Sequence, residues 1–245
     1  NFARLQDMRP GYGYVGVEDE YADVNAPEES GVYRVNLDTG EKKLILPIST
    51  IARIRLEEWP AQHKLYFNHI MWNTDGSRFM VFSRGEGVGT KVYTADPEGK
   101  DVRLLSAQGA SHYDWRDPRQ ALIWGRGAHR LYVDDGTANN RVLWKSPNGH
   151  CQYLPGDKWI LTDTYPRGAE RMQHIYLYHV PTEKYIPLGR FHLPKSYSGE
   201  WRCDLHPRLS PDGTKVVFDS PHGGDGRQLW MIDIAPVLAG YPEDL

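Results

Sequence analysis

The stretch CDLHPRLSPDGTKVVFDS, residues 203–220, sets a Ser-Pro-Asp-Gly turn between a short segment around His206 and an apolar strand. Glycine supplies the positive φ such a turn needs. The aspartate hydrogen-bonds its own backbone, and Val-Val-Phe favours a pleated strand. One hairpin fixes no fold, but this one recurs.

NHIMWNTDGSRFMVFSRG (68–85), SHYDWRDPRQALIWGRG (111–127) and GHCQYLPGDKWILTDTYP (149–166) follow the same plan. Each has a short alternating strand, a turn rich in Asp, Pro and Gly, and a second strand of Val, Ile, Leu, Phe or Trp. Each also leads into another hairpin: KVYTADPEGKDVRLL, RLYVDDGTANNRVLW, IYLYHVPTEKYIPLG and, after the opening stretch, QLWMIDI. Upstream, GVYRVNLDTGEKKLILP (31–47) is the outer hairpin of an earlier unit. Four strands per unit of about 40 residues is the period of a propeller blade.

The sequence therefore predicts an all-β propeller of four-stranded blades over residues 1–245, as a single domain or a propeller fragment. Four blades fall at about 66–107, 111–146, 149–190 and 203–236, with a partial one at about 12–48. They make a small ring or part of a six- or seven-bladed one. A sandwich and an irregular β-solenoid are the alternatives. Helical periodicity is absent except in STIARIRLEEWP (49–60), which has room for one turn or two. Residues 10–20, PGYGYVGVEDE, are the strand available to close a small ring.

Composition narrows the function classes. With 40% hydrophobic and 25% charged residues the chain is globular, and eight Trp and fifteen Tyr suit strands. A net charge of −3 with no basic run argues against nucleic acid as partner, and no apolar run is long enough to span a bilayer. The chain starts with Asn and shows no signal-peptide pattern, so it is expected to begin inside a longer product or after processing. Compartment and oligomeric state stay open. Cys151 and Cys203 could pair, bind metal or stay free.

Four of the ten histidines hold the same place in the repeat: His69, His112, His150 and His206, at intervals of about 43, 38 and 56 residues. The first strand of a propeller blade lines the central channel, so these imidazoles are expected to gather around one axis. A lone histidine there is usually a structural hydrogen-bonder. Four in register have no packing reason to recur. Imidazole ligates divalent metals and moves protons near neutral pH. Cys203 and Asp204, just before His206, offer a soft and a hard ligand. Cys151, next to His150, is expected to point into the blade core. Arg84 and Arg126 end matching strands, and Arg202 and Arg208 flank His206. Arginine pairs with carboxylates and sulfates in bidentate fashion. Tyr113, Tyr165 and Trp201 suit sugar faces. The other histidines (63, 129, 174, 179, 192 and 222) break the register, and most read as surface or loop residues.

The PDG turn ahead of KVVFDS resembles the TolB-type propeller repeat. The in-register histidines and arginines of NHIMWN, GHCQYLPGDKWILTDTYP and RCDLHPRLSPDG resemble those of the propeller polysaccharide lyases, meaning oligogalacturonate lyase and the propeller ulvan lyases, over roughly residues 60–235. That resemblance implies β-elimination on a uronate-containing, anionic oligo- or polysaccharide. It implies His112 as base, Arg84 as its partner and His69 in substrate binding or acid–base work. It makes His150 and His206 metal ligands. The family pattern has a glutamine and a second histidine near His206, where this chain has Cys203 and Arg208. A set of His150, Cys203 and His206 then suits zinc better than the family's manganese. Arg126, Arg208 and Tyr113 are the substrate-binding candidates. Two rivals stand beside this reading: a non-catalytic TolB-like binding module, and the propeller of a prolyl-oligopeptidase-type enzyme. No G-x-S-x-G elbow is present for the second.

Overall fold

The structure is a computed structural model that describes residues 3–5, 16–56, 61–107 and 109–241. It is all-β, with four blades of the propeller type preceded by a hairpin. The hairpin pairs β1 (Gly31–Val35) with β2 (Lys42–Pro47), and a helix, Ile48–Leu56, follows. The next three blades are four-stranded meanders: β3 (Leu65–Trp72) to β6 (Arg103–Ser106), β7 (Tyr113–Asp117) to β10 (Asn140–Lys145), and β11 (Cys151–Tyr153) to β14 (Lys184–His192). Their inner strands are β4 (Phe79–Gly85) and β5 (Gly89–Ala95), β8 (Gln120–Gly125) and β9 (Ala128–Val133), and β12 (Trp159–Asp163) and β13 (Met172–His179). The last blade has three strands: β15 (Arg208–Leu209), β16 (Lys215–Ser220) and β17 (Gln228–Asp233). Residues 10–15 of the proposed closing strand, and residues 57–60 of the proposed helical stretch, lie outside the described residues. Among the described residues no helix is long and apolar enough to cross a membrane.

By its internal contacts the chain divides into two compact units. One comprises residues up to 110 with 117–119 and 132–139. The other comprises 111–116, 120–131 and 140 onward.

Local chemistry explains the hairpins. In the turn between β15 and β16, Asp212 Oδ1 accepts from Thr214 N at 3.0 Å and from the hydroxyls of Ser210 and Thr214 at 2.6 and 2.8 Å. These donors, Ser210 first, hold the Asp212 carboxyl down to about 2. Gly213 supplies the positive φ of +72°. The turn before β4 repeats the device with Asp75, Ser77 and Gly76.

The second strand of each four-stranded blade is packed on both faces, so it reads as a continuous apolar run rather than an alternation. Phe79, Met80, Val81 and Phe82 of β4 are all buried, as are Trp159, Ile160 and Leu161 of β12. In the first unit, Leu46, Ile48, Ile51, Leu65, Phe67, Phe79, Val81 and Tyr93 form one core, which the helix joins through Ile48, Ile51 and Ala52. The helix runs over nine residues and is held at its end by Arg55. That buried guanidinium donates to Ser83 O at 2.6 Å, Ser83 Oγ at 2.9 Å and Gly89 O at 2.7 Å. Arg78 does similar work. It donates to Asp134 at 2.7 Å, Asp101 at 2.9 Å and Thr94 at 2.9 Å, and Thr94 in turn donates to Asp134. In the second unit, Leu154, Trp159, Leu161, Ile175, Leu177, Leu205, Val216 and Phe218 form the core beneath the candidate site.

Candidate functional site

The second unit brings three of the in-register histidines together. The His112 and His150 ring centroids lie 4.0 Å apart, and those of His150 and His206 lie 3.9 Å apart. Each histidine sits just ahead of the first strand of its blade, and the blade backbone fixes it. Trp124 N donates to His112 O at 2.8 Å, and Asp219 N donates to Leu205 O at 2.8 Å.

His150 is the most tightly held. Its backbone N donates to Asp163 Oδ1 at 2.6 Å, and its Nδ1 lies 2.9 Å from Asp163 Oδ2. With Nδ1 committed to Asp163, Nε2 is the atom left for a ligand. Asp163 comes from the end of β12, which pairs with β11 next to His150. The close approach depends on Gly149, because a Cβ there would meet Asp163 O at 1.8 Å. Burial pushes the Asp163 carboxyl up and the His150 imidazole down. The His150 backbone N–H works against the first shift, and the charge of His206 reinforces the second.

Asp204 completes the group. One ligand atom each from His150, Asp204 and His206 lies within 4.8 Å of the others. Asp204 Oδ2 accepts from Arg202 at 2.8 Å, while Oδ1 is buried with no hydrogen-bond partner. An unpartnered buried carboxylate oxygen beside two imidazoles is costly unless a cation satisfies it. The donor set therefore fits a divalent metal. Two nitrogens and a carboxylate suit manganese and zinc alike. Cys203 is not in the group. It is buried, its carbonyl accepts from Gln173 Nε2 at 3.2 Å, and burial raises its thiol. Both cysteines are free, and Cys151 is buried in a core with Leu122, Trp144 and Tyr153.

Beside the cluster, His112 Nε2 lies 3.1 Å from Tyr165 Oη, and the Arg202 guanidinium sits 5.5 Å from the Tyr165 ring centroid. Tyr113 is half-buried, and Arg208 is exposed with its charge acting on His150, Asp114 and Asp163. Burial lifts the Asp114 carboxyl to about 6, against the pull of the Tyr153 and Trp115 N–H groups. Arg126 occupies the β8–β9 turn, exposed, with a φ of +51°.

His69 and Arg84 belong to the first unit and flank one ring there. His69 meets Phe82 edge-on at 5.4 Å, and the Arg84 guanidinium lies 5.6 Å from the same centroid. His69 forms a bulge in β3 with φ +53°, and His206 has φ +42°. Residues carrying a Cβ avoid this left-handed region, so two of the four register positions hold backbone strain.

The remaining histidines divide. His63, His192 and His222 are exposed and His174 is half-buried, but His129 and His179 are buried in blade strands. His129 stacks on Trp144 at 4.1 Å, and its Nδ1 lies 2.7 Å from Ser146 Oγ. Both sit among strand aromatics, a packing role that their departure from the register did not reveal. Reading the sequence missed Asp163, because a carboxylate ending a second strand resembles an ordinary turn residue.

No known family pattern matches the chain, and no curated protein matches it. Solved structures do. An oligogalacturonate lyase in complex with manganese is 17% identical with a TM-score of 0.59, over 82% of this chain and 53% of that one. The oligogalacturonate lyase of Vibrio parahaemolyticus is 14% identical with a TM-score of 0.60, over 84% and 55%. TolB of Acinetobacter baumannii is 16% identical with a TM-score of 0.56, over 85% and 48%. The chain spans about half the length of these proteins. At such identities the likeness establishes the propeller fold they share.

Proposed function

We propose that the chain is part of a polysaccharide lyase that cleaves a uronate-containing, anionic glycan by β-elimination. The observation that carries this reading is the buried, unpartnered Asp204 oxygen between His150 and His206, next to a third imidazole bonded to a tyrosine hydroxyl. The solved lyase with bound manganese supports it from outside.

His150, Asp204 and His206 would hold a divalent cation, which supplies Lewis-acid polarisation of a uronate carboxylate. Arg202 and Arg208 add positive charge for the same carboxylate. His112 takes the proton α to that carboxylate. The C4–O4 bond breaks, a C4=C5 double bond forms, and the proton ends on the leaving oxygen. Tyr165, 3.1 Å from His112 Nε2, would pass that proton from base to leaving group. Tyr113 and Arg126 remain candidates for substrate contact. Arg84 and His69, in the first unit, keep only the roles that the resemblance implies.

The test combines metal analysis of wild type and His206→Ala with ultraviolet detection of unsaturated product from oligogalacturonate and ulvan. Stoichiometric metal lost in the variant, together with product from wild type, is the expected result. Metal without product would favour the second reading, a metal-holding TolB-like binding module, for which the TM-score of 0.56 to TolB speaks. Neither metal nor product would end the site reading.

A further inference from the structure

Trp201 is 68% exposed on a short 3₁₀ turn, Gly199–Trp201, although so large an aromatic side chain normally buries most of its surface. The ring is not bare. The Arg227 guanidinium, from the loop entering β17, lies 5.7 Å from the indole centroid. Arg227 pairs with no carboxylate among the described residues. Arg202, next in sequence to Trp201, binds Asp204 of the three-residue cluster at 2.8 Å. Trp201, with Arg227 on its ring, thus stands one residue along the chain from Arg202, which binds a candidate metal ligand.

We propose that Trp201 and Arg227 form a subsite for a uronate residue of the glycan near the reacting one; this rests on the lyase reading above. A pyranose presents an apolar C–H face that stacks on an indole, and a uronate adds a carboxylate in the ring's periphery that a guanidinium binds bidentately. An indole with a guanidinium over one face and most of its surface exposed offers both features to one uronate. A neutral sugar uses only the first feature, and an acidic peptide only the second. The subsite therefore selects for chain length and for charge together.

The test is calorimetric titration, in a His112→Ala background that prevents turnover, with hexameric oligogalacturonate, ulvan oligomers, the carboxyl-reduced hexamer and polyaspartate. Trp201→Ala is expected to weaken binding of an oligouronate about tenfold and Trp201→Phe less than threefold. Arg227→Gln is expected to abolish most of the preference for the acidic over the carboxyl-reduced hexamer. In the active protein, Trp201→Ala should raise KM for the hexamer with a smaller change in kcat. Affinity unaltered in a normally folded Trp201→Ala protein overturns the proposal. So does binding of polyaspartate as tightly as the oligouronate, or no oligouronate binding at all. Trp201-dependent binding with no unsaturated product would leave the subsite and remove the lyase reading. Product formation with unchanged affinity and KM in Trp201→Ala would do the reverse.

Discussion

His150 and Asp163 are joined twice, through the His150 backbone N at 2.6 Å and through Nδ1 at 2.9 Å. The double contact fixes both the position of the imidazole and the nitrogen it turns toward Asp204 and His206. Outer carboxylates of this kind orient metal-binding histidines, and losing them typically costs 10- to 100-fold in metal affinity. Asp163→Asn should therefore fold, keep the backbone contact, and bind manganese or zinc about 10- to 100-fold more weakly in competition titrations. Unchanged affinity would show that Asp163 serves packing alone.

Gly149 makes that contact sterically feasible. A methyl group at residue 149 would sit 1.8 Å from Asp163 O, which is backbone and cannot swing away. Gly149→Ala should cost about 1–3 kcal/mol of stability, the range for overpacking in a filled interior. It should also lower metal affinity by displacing His150. Denaturant midpoints and metal titration read the two effects separately. A variant as stable as wild type would mean that the β11–β12 backbone yields more easily than its pairing implies.

The repeat made the fold readable. Turn residues such as Asp212 and Gly213 announce hairpins by themselves, and their recurrence every 40 residues or so gives the blade. His112, His150 and His206 were legible for the same reason, since register alone puts them at equivalent places. Asp204 was visible only as a neighbour of His206. Cys203 is the third ligand expected from the sequence, whereas the structure groups Asp204, and not Cys203, with the two imidazoles. Asp163 carried no sequence signal, because its role depends on strand pairing, and Tyr165 was legible as an aromatic for a sugar face but not as a partner of His112, a contact made between successive blades of the second unit. His129 misled for the opposite reason. A histidine can be a core residue when a serine and a tryptophan take up its ring, and nothing local in GRGAHRLYV says so.

Arg78 offers a stability test in the first unit. It meets Asp134, whose side chain is 1% exposed, at 2.7 Å. Removing one partner of a buried pair leaves an uncompensated charge, at a cost of about 3–5 kcal/mol. Arg78→Met should lower stability by that amount. Arg34→Ala, which breaks the exposed pair with Glu98, should cost far less. Equal losses in urea denaturation would refute the distinction drawn from burial.

His129 predicts acid sensitivity. Burial drives its imidazole down to about 3, while an unfolded histidine titrates near 6.5. Between those values the unfolded chain binds a proton that the folded chain refuses. Stability from this group is thus full above about pH 6.5 and is lost progressively as pH falls toward 3. His129→Phe keeps a ring against Trp144 and removes the titration. The variant should lose less stability than wild type between pH 7 and pH 4 in chemical denaturation, whatever its stability at neutral pH. Parallel losses would place the acid-sensitive group elsewhere.

The left-handed backbone at His206 allows function and stability to be separated. Residues with a Cβ pay about 1–2 kcal/mol for such a conformation, and glycine does not. Glycine also gains freedom in the unfolded chain, which offsets up to about 1 kcal/mol of the benefit. At φ +42°, His206→Gly should be at least as stable as His206→Ala, and both should lose the metal. His150 is the control. It is not in the left-handed region, so there His150→Gly should be less stable than His150→Ala by about 0.5–1 kcal/mol. Thermal or urea unfolding of the four variants in chelator reads the order directly. If glycine is the worse residue at both positions, His206 holds no strain, and its conformation owes nothing to the ligand role. If the order reverses between the two positions, the chain carries a strained backbone at the place where the side chain must reach the cluster, as expected where function rather than packing selected the residue.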